Sequence, residues 1–272
     1  MWYEDVLRCP VCGAAIAKRE GSLFCKGERP HCFDVSADGY VNLTSAKEAG
    51  GGDDKSLIAA RTLFLTAGHY LPFAKRIVTL LEAYAAPHAL VVDAGCGEGY
   101  YACHMAREGY RVLGVDLSKR GIRHASKTAG REGLQALFAV AGIFHMPVAD
   151  ESADAVISLF APIAEDEFLR VLKPGGIFIT AGAGEKHLLS LKRVLYDTPR
   201  ENAPRADLPV KMAPLHSEVL RFEMQLNGSE TEALFAMTPY YYRTSREGKA
   251  RLAALPALSC EAEMDIRVYQ KV

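Results

Sequence analysis

Alternation between short apolar segments and helical patterns begins at Ala89 and constrains the fold more than any other feature of this 272-residue chain. Strand-like segments occupy 89–93, 111–116, 135–140, 153–160 and 176–181. Helical patterns lie between or after them at 100–107, 119–131, 164–171 and 185–196. Because neighbouring parallel strands need crossover connections, this order predicts an α/β fold with a doubly wound, mainly parallel sheet and helices on both faces.

The chain beyond residue 202 departs from this order. A helical pattern at 230–237 lies between a strand-like segment at 218–226 and an alternating segment at 260–269. Alternation with a period of two is typical of a half-buried strand. We therefore expect an antiparallel hairpin to close the sheet.

The loop after the first predicted strand reads Asp93-Ala94-Gly95-Cys96-Gly97-Glu98-Gly99. Its glycines permit a sharp turn and a close approach of a ligand to the backbone. Asp116 ends the next strand, where a carboxylate can accept hydrogen bonds from both ribose hydroxyls. The spacing is GxGxG and not the dinucleotide GxGxxG. An acidic loop repels a pyrophosphate but suits S-adenosylmethionine, which carries a sulfonium and an ammonium. A nicotinamide cofactor and a purely structural turn are the alternatives.

Phe160-Ala161-Pro162 ends the fourth predicted strand, beside the expected position of the methyl group. Enzymes that methylate exocyclic amines of adenine or cytosine usually carry an Asn or Asp followed by two prolines there, and those acceptors orient the amine. This chain has Phe160 and Ala161 at the equivalent places. An exocyclic amine is therefore disfavoured as the target.

Four of the seven cysteines fall in the first 32 residues, namely Cys9, Cys12, Cys25 and Cys32. Cys9-Pro10-Val11-Cys12 is a CxxC knuckle, and Cys25 with either His31 or Cys32 completes four ligands for zinc. Four protein ligands leave no position for water, so such a zinc is structural. A segment of about 35 residues buries too little apolar surface to fold alone, so a bound metal would supply much of its folding free energy. Buried free cysteines and a CxxC redox site are the alternatives.

The pattern divides the chain into three predicted parts: a zinc-binding module at 1–36, a helical bridge at 37–88 and a methyltransferase domain at 89–272. In the bridge, Asp53 or Asp54 is a suitable N-cap for a first helix that carries Leu57 and Phe64. A second helix is predicted from about Leu71 to Tyr84, with Phe73, Ile77, Leu80 and Leu81 on one face.

The charges nearly balance, with 32 Lys and Arg against 33 Asp and Glu, so bulk positive charge does not attract nucleic acid to this chain. Two local basic groups remain as candidates for phosphate contacts or as solvated helix faces. The first comprises Arg107, Arg111, Lys119, Arg120, Arg123, Lys127 and Arg131, and the second Lys186, Lys192, Arg193, Arg200 and Arg205. No apolar run approaches a membrane span, and the acidic N-terminus lacks a signal-peptide core, so a cytoplasmic protein is expected.

The chain resembles the bacterial 23S ribosomal RNA (guanine-N1)-methyltransferases, a family with macrolide-resistance members, over nearly its whole length. The motifs that carry the resemblance are Cys9-Pro10-x-Cys12, His31-x-Phe33-Asp34, Asp38-Gly39-Tyr40-Val41-Asn42-Leu43, Ala60-Arg61 with Phe64-Leu65, Ala67-Gly68-His69-Tyr70, Asp93-x-Gly95-Cys96-Gly97-Glu98-Gly99-Tyr100-Tyr101 and His187-Leu188. The resemblance implies a Rossmann-like class I methyltransferase sheet preceded by the small zinc module.

The resemblance also implies which residues bind the zinc and the methyl donor. The implied zinc ligands are Cys9, Cys12, Cys25 and His31; the family places fewer residues between the third cysteine and the histidine, so Cys32 stays an alternative to His31. The donor contacts that it implies are Tyr70, Gly97, Glu98 and His187. The glycine-rich loop and the end of the next strand add Asp93, Gly95 and Asp116 as expected donor contacts.

The implied reaction is S-adenosylmethionine-dependent methylation of N1 of a guanine in 23S rRNA. Guanine N1 is buried in a Watson–Crick pair, so the base must be unpaired or flipped; Phe160 and Tyr240-Tyr241-Tyr242 are candidates for stacking on it. No residue is identified as the general base. The expected partner is a stem-loop of 23S rRNA, with a homodimer left open and no membrane. The alternatives are a methyltransferase of another RNA or of a small molecule, and a non-catalytic donor-binding RNA protein.

Overall fold

The computed structural model describes residues 2–44, 55–206 and 211–272. Asp53 and Asp54, the predicted N-caps of the first bridge helix, lie outside the described residues. Three short strands, β1 (Ile16–Arg19), β2 (Ser22–Cys25) and β3 (Cys32–Asp34), form an antiparallel sheet in the order β1-β2-β3. The N-terminal segment packs on the rest of the chain, because Arg8 N–H donates to Pro147 O at 2.9 Å and Ala149 N–H donates to Val6 O at 2.7 Å.

The bridge contributes one short strand and two helices. They are β4 (Val41–Asn42), α1 (Lys55–Thr66) and α2 (Leu71–Tyr84). The predicted second helix is confirmed at both ends, and its Phe73, Ile77, Leu80 and Leu81 are buried. The strand β4 pairs in parallel with the sheet of the C-terminal part, Val41 opposite Ala139, so the bridge is continuous with that sheet.

The strand and helix alternation that begins at Ala89 is confirmed. The elements are β5 (Leu90–Ala94), α3 (Tyr100–Arg107), β6 (Arg111–Asp116), α4 (Lys119–Glu132), β7 (Ala136–Val140), β8 (Ala153–Leu159), α5 (Glu165–Val171), β9 (Leu172–Ala183) and α6 (Leu189–Leu195). Two antiparallel strands, β10 (Met212–Asn227) and β11 (Ala257–Lys271), close the sheet as predicted. The order of the eight strands is β10-β11-β9-β8-β5-β6-β7-β4.

The hairpin of β10 and β11 is interrupted by a helical insertion. It consists of α7 (Gly228–Ala236), a 3₁₀ helix (Pro239–Tyr242) and α8 (Arg246–Ala253). α7 begins with a capping box in which Asn227 and Glu230 each accept the other's backbone N–H, which explains the helix start. α7 packs against α1, so the insertion lies beside the bridge.

One predicted helix begins later than the sequence pattern indicated. The pattern predicts a helix over 185–196, but α6 begins at Leu189 because Leu188 has a left-handed backbone with φ of 54°. His187 immediately before it turns inward and is buried. No helix within the described ranges is long and apolar enough to cross a membrane.

Candidate functional site

The glycine-rich loop connects the carboxyl end of β5 to α3, and its conformation requires glycine. Gly95 has φ of 86° and Gly99 has φ of 79°. A Cβ on Gly95 would lie 2.6 Å from Ala161 Cβ, and one on Gly99 would lie 2.4 Å from Ala125 Cβ. The loop is therefore held between the end of β8 and α4, with its backbone open to a ligand.

Asp116 is positioned at the carboxyl end of β6 by two backbone donors. Gly97 N–H donates to Asp116 Oδ2 at 3.0 Å, and Ser118 N–H donates to Asp116 Oδ1 at 2.7 Å. The strands β5 and β6 are parallel neighbours, so the glycine loop and Asp116 meet at one edge of the sheet. This is the edge at which doubly wound sheets bind ligands.

Asp93 has a buried carboxylate, one oxygen of which accepts no hydrogen bond from the described residues. Its side chain is 2% exposed, and its Oδ2 has no hydrogen-bond partner among the described residues. Burial, reinforced by the negative charge of Asp116, raises the pKa of Asp93 to about 7. A cation bound in the adjacent cavity would reverse this effect, because it would favour the charged carboxylate.

α1 reaches the glycine loop through an ion pair. Arg61 Nη1 lies 3.2 Å from Glu98 Oε2, and the Glu98 carboxylate is nearly inaccessible to solvent. Leu65, one turn further along the same helix face, lines the same cavity as Arg61. The bridge therefore forms one wall of the site. The sequence patterns did not assign Arg61 a role, although its motif contributed to the family resemblance.

Tyr70 and His187 form a second pair across the site. The Tyr70 hydroxyl lies 3.4 Å from His187 Nε2, while His187 Nδ1 accepts the backbone N–H of Glu263 at 3.2 Å. Burial lowers the pKa of His187 to about 4, so the ring is neutral near pH 7. Because Nδ1 is an acceptor, the proton resides on Nε2 and is directed at the Tyr70 oxygen. Tyr70 can then donate its own hydroxyl proton to a ligand.

These groups line one cavity of about 1110 Å³. This volume is at the upper end of the roughly 300–1,000 Å³ that is typical of small-molecule sites. The structure brings all seven predicted donor residues to its wall: Tyr70, Asp93, Gly95, Gly97, Glu98, Asp116 and His187. Lining residues that the sequence patterns did not identify include Arg61, Phe144, His145, Asn202 and Arg243.

Phe160 also lines the cavity, in an unusual backbone conformation. Its φ is 56°, which is rare for a bulky residue, and 45% of the residue is exposed. The ring centroid lies 5.8 Å from that of Phe73 and 6.0 Å from that of His187. Strain of this kind is concentrated at functional sites, where the surrounding structure maintains it.

A cluster of sulfur and nitrogen atoms lies at the N-terminal module. One ligand atom from each of Cys9, Cys12, Cys25 and His31 lies within 4.8 Å of all the others. His31 Nδ1 is 3.5 Å from Cys9 Sγ and 3.4 Å from Cys25 Sγ, and Cys12 Sγ is 3.7 Å from Cys25 Sγ.

The cluster fits a tetrahedral zinc ion. Zn–S bonds of about 2.3 Å and Zn–N bonds of about 2.0 Å at tetrahedral angles place a sulfur and a nitrogen about 3.5 Å apart, and two sulfurs about 3.8 Å apart. The observed separations agree with both values. Cys32 is exposed at the start of β3 and is not part of the cluster.

Several members of the two predicted basic groups are engaged within the protein. In the first, Arg107 pairs with Glu132, and Arg123 and Lys127 both pair with Asp38. In the second, Lys192 is buried and donates to Asn202 Oδ1 at 2.6 Å. Arg205 lies 3.4 Å from Asp265. These residues therefore stabilise the fold more directly than they present charge to a ligand.

Two family models match the chain. A model described as a methyltransferase domain matches residues 91–176, and a zinc-ribbon model described as RlmA, N-terminal, matches residues 7–48. The first contains the glycine loop and Asp116. The second contains the four clustered ligands and β4.

Some of the curated proteins that are similar to the chain match it over nearly its full length. The 23S rRNA (guanine(748)-N(1))-methyltransferase of Streptomyces fradiae is 30% identical over 262 residues, covering 93% of this chain and 91% of that protein. A protein of Micromonospora griseorubida, to which a guanine-N1 reaction on 23S rRNA is ascribed, is 32% identical over 276 residues. The match covers 92% of this chain and 91% of that protein.

The methyltransferase family model and the solved structures together support the class I methyltransferase fold. The YcgJ protein of Bacillus subtilis is 15% identical, with a TM-score of 0.52 over 73% of this chain and 97% of that one. At this identity the similarity concerns the fold alone. The α/β architecture expected from the sequence is thus confirmed.

Proposed function

The chain belongs to the family of 23S rRNA (guanine-N1)-methyltransferases, and on that premise we propose that it transfers a methyl group from S-adenosylmethionine to N1 of a guanine in 23S rRNA. The observation that carries the proposal is the convergence of Asp93, the glycine loop and Asp116 on one large cavity. That combination supports a cationic nucleoside donor with room beside it for an acceptor base.

The donor set that we propose keeps the seven residues expected from the sequence: Tyr70, Asp93, Gly95, Gly97, Glu98, Asp116 and His187. In this proposal Asp116 accepts hydrogen bonds from the ribose hydroxyls, and Asp93 faces the positively charged end of the donor. We add Arg61, whose guanidinium beside Glu98 suits the donor carboxylate. An adjacent carboxylate and guanidinium together match a zwitterionic amino acid.

The acceptor that we propose is a ring nitrogen. Phe160, Ala161 and Pro162 line the cavity after the end of β8. None of these three residues has a side-chain carboxylate or amide that could orient an exocyclic amine. Guanine N1 loses its proton to a base or a water, its lone pair forms the bond to the methyl carbon, and the carbon–sulfur bond breaks to release S-adenosylhomocysteine. Positioning supplies most of the rate, because the sulfonium is already activated.

The N-terminal module supports a structural role for zinc. Cys9, Cys12, Cys25 and His31 are the ligands that we propose, in preference to a set with Cys32. Four protein ligands saturate the ion, so it would stabilise the module and take no part in methyl transfer. The predicted divisions at 1–36, 37–88 and 89–272 are retained as a proposal, with β4 as the point of continuity between bridge and sheet.

The proposed function also concerns the partner, the location and the oligomeric state. A stem-loop of 23S rRNA is the proposed substrate, because an unpaired guanine exposes N1. The proposed location is the cytoplasm, where 23S rRNA is found. A homodimer is compatible with the outer edge of β10, where Leu215 and Val219 are exposed, and sedimentation would detect it.

The test is methylation of unmodified RNA. The protein is incubated with S-adenosylmethionine labelled in the methyl group and with 23S rRNA transcribed in vitro, and the modified nucleoside is identified after digestion. We expect 1-methylguanosine, and we expect Asp93→Ala to abolish labelling. Arg107→Gln, which removes an exposed ion pair outside the cavity wall, is the matched control.

The other outcomes separate the alternatives. Label on adenosine or cytidine would contradict the guanine assignment. Label on another RNA or on a small molecule, with none on 23S rRNA, would favour a different methyltransferase. Donor binding without transfer to any acceptor would favour a donor-binding RNA protein.

A further inference from the structure

The helical insertion between β10 and β11 brings a distinct surface to the mouth of the cavity. Pro239, Tyr240 and Arg243 line the cavity together with the glycine loop, although they are more than 130 positions away in sequence. The chain then turns outward into α8. We name five exposed aromatic and basic residues of this turn the rim: Tyr241, Tyr242, Arg243, Arg246 and Lys249. Ser245 and Glu247 are exposed beside them.

The rim and the residues beside it carry more positive than negative charge. Arg243, Arg246 and Lys249 are all exposed, and none forms an ion pair with any carboxylate in the part of the chain that the structure describes. The acid nearest in sequence is Glu247, which is exposed beside the rim and offsets part of its charge. Arg251, further along α8, pairs with Asp197. This contrasts with α4, where Arg123 and Lys127 are engaged by Asp38. The rim is therefore a local cationic surface on a nearly neutral chain.

The rim also presents aromatic faces to solvent. Tyr242 is 75% exposed, and Tyr241 is 41% exposed. Tyr241 is supported from behind by Phe235, with ring centroids 5.4 Å apart, and Lys249 Nζ lies 4.7 Å from the centre of its ring. Tyr242 lies edge-on to Tyr241 at 5.3 Å. An aromatic ring that is held in place and open to solvent is a suitable platform for a nucleobase.

We propose that the rim binds the single-stranded RNA that flanks the target base, with Tyr242 stacking on a flanking base and Arg243, Arg246 and Lys249 contacting phosphates. This inference rests on the proposed RNA substrate and deepens it, because it names the surface over which the strand reaches the cavity. Stacking requires unstacked bases, so the rim favours a loop over a duplex. Arg243 belongs to both the rim and the cavity wall, which places the target base next to it.

The first experiment separates charge from stacking. Affinity for a short single-stranded RNA is measured against salt concentration for the full chain and for the triple variant Arg243→Gln, Arg246→Gln, Lys249→Gln. The slope of log K against log salt is negative, and each lost phosphate contact reduces its magnitude by about 0.7, so we expect the slope of the triple variant to be less negative by about 2. Tyr242→Ala should weaken binding about 5- to 100-fold with an unchanged slope, and Tyr242→Phe should restore it.

A charge-matched control distinguishes the rim from general electrostatics. Lys75→Gln, Lys127→Gln, Arg131→Gln removes three exposed positive charges that lie outside the cavity wall. We expect this variant to change RNA affinity much less than the rim variant does. Equal losses in the two triple variants, or no loss in the rim variant, would overturn the proposal.

Donor affinity identifies which proposal fails. Binding of S-adenosylhomocysteine, measured by calorimetry, should be unchanged by Tyr242→Ala and by Arg246→Gln, which lie outside the donor set. If the full chain methylates no guanine in 23S rRNA yet the rim variants lose RNA affinity, the proposed function fails and the rim assignment stands. If methylation proceeds and the rim variants keep full RNA affinity, the rim assignment is wrong.

Discussion

The hydroxyl of Tyr70 lies 3.4 Å from Nε2 of His187, although 117 positions separate them in sequence. Tyr70 precedes α2 in the bridge, and His187 precedes α6 beside the antiparallel part of the sheet. The backbone N–H of Glu263, on β11, determines which nitrogen of His187 carries the proton. One wall of the cavity is therefore assembled from three distant parts of the chain.

The first prediction concerns this pair. Tyr70→Phe removes the hydroxyl that faces the cavity and leaves His187 Nε2–H without its acceptor, so we expect affinity for S-adenosylhomocysteine to fall about 10-fold. His187→Gln should have a similar effect. Calorimetry on both single variants and the double variant tests the coupling. If the loss of binding free energy in the double variant equals the sum of the losses in the two single variants, the two side chains act independently.

The second prediction follows from the pKa of Asp93. Folding raises that pKa from about 4 to about 7, so the folded protein holds a proton in this range that the unfolded chain releases. The contribution of this group to the free energy of unfolding is fully present below about pH 4 and is lost as the pH rises through about 7. A cationic donor favours the carboxylate, and its binding should release about half a proton at pH 7. Calorimetry in buffers of different ionisation enthalpy measures this number, and Asp93→Asn should reduce it to zero.

The third prediction identifies the fourth zinc ligand. Cys32→Ser should leave one zinc per chain and an unchanged melting temperature, because Cys32 lies outside the cluster. His31→Ala should lose zinc and lower the melting temperature, since the ion supplies much of the folding free energy of so small a module. Mass spectrometry of the native protein gives the stoichiometry. Loss of zinc from the serine variant with retention in the alanine variant would reverse the assignment.

The fourth prediction tests the contact between α1 and the glycine loop. Arg61→Gln should lower the affinity for S-adenosylhomocysteine about 10- to 100-fold, since a charge-assisted hydrogen bond is lost. Affinity for 5′-methylthioadenosine, which lacks the amino-acid end, should change little. Arg107→Gln serves as the control. An equal loss for both ligands would mean that Arg61 supports the loop and does not contact the donor.

The glycine loop and Asp116 could be predicted because their chemistry is local: a strand end, a tight turn and the end of the next strand. Arg61 and Arg243 could not, since they reach the cavity only through the packing of α1 and of the insertion. The late start of α6 could not be predicted, because apolar periodicity does not reveal the left-handed backbone at Leu188, which interrupts the predicted helix. The choice between His31 and Cys32 likewise needed side-chain positions that spacing does not determine.

The central claim is methyl transfer to guanine N1, and reverse transcription of the treated RNA tests it most directly. A methyl group on N1 blocks Watson–Crick pairing, so primer extension on 23S rRNA incubated with the protein and S-adenosylmethionine should stop one nucleotide before a single guanine. The stop should be absent with Asp93→Ala and without the donor. Full-length extension on fully treated RNA, or a stop that maps to another base, would contradict the account.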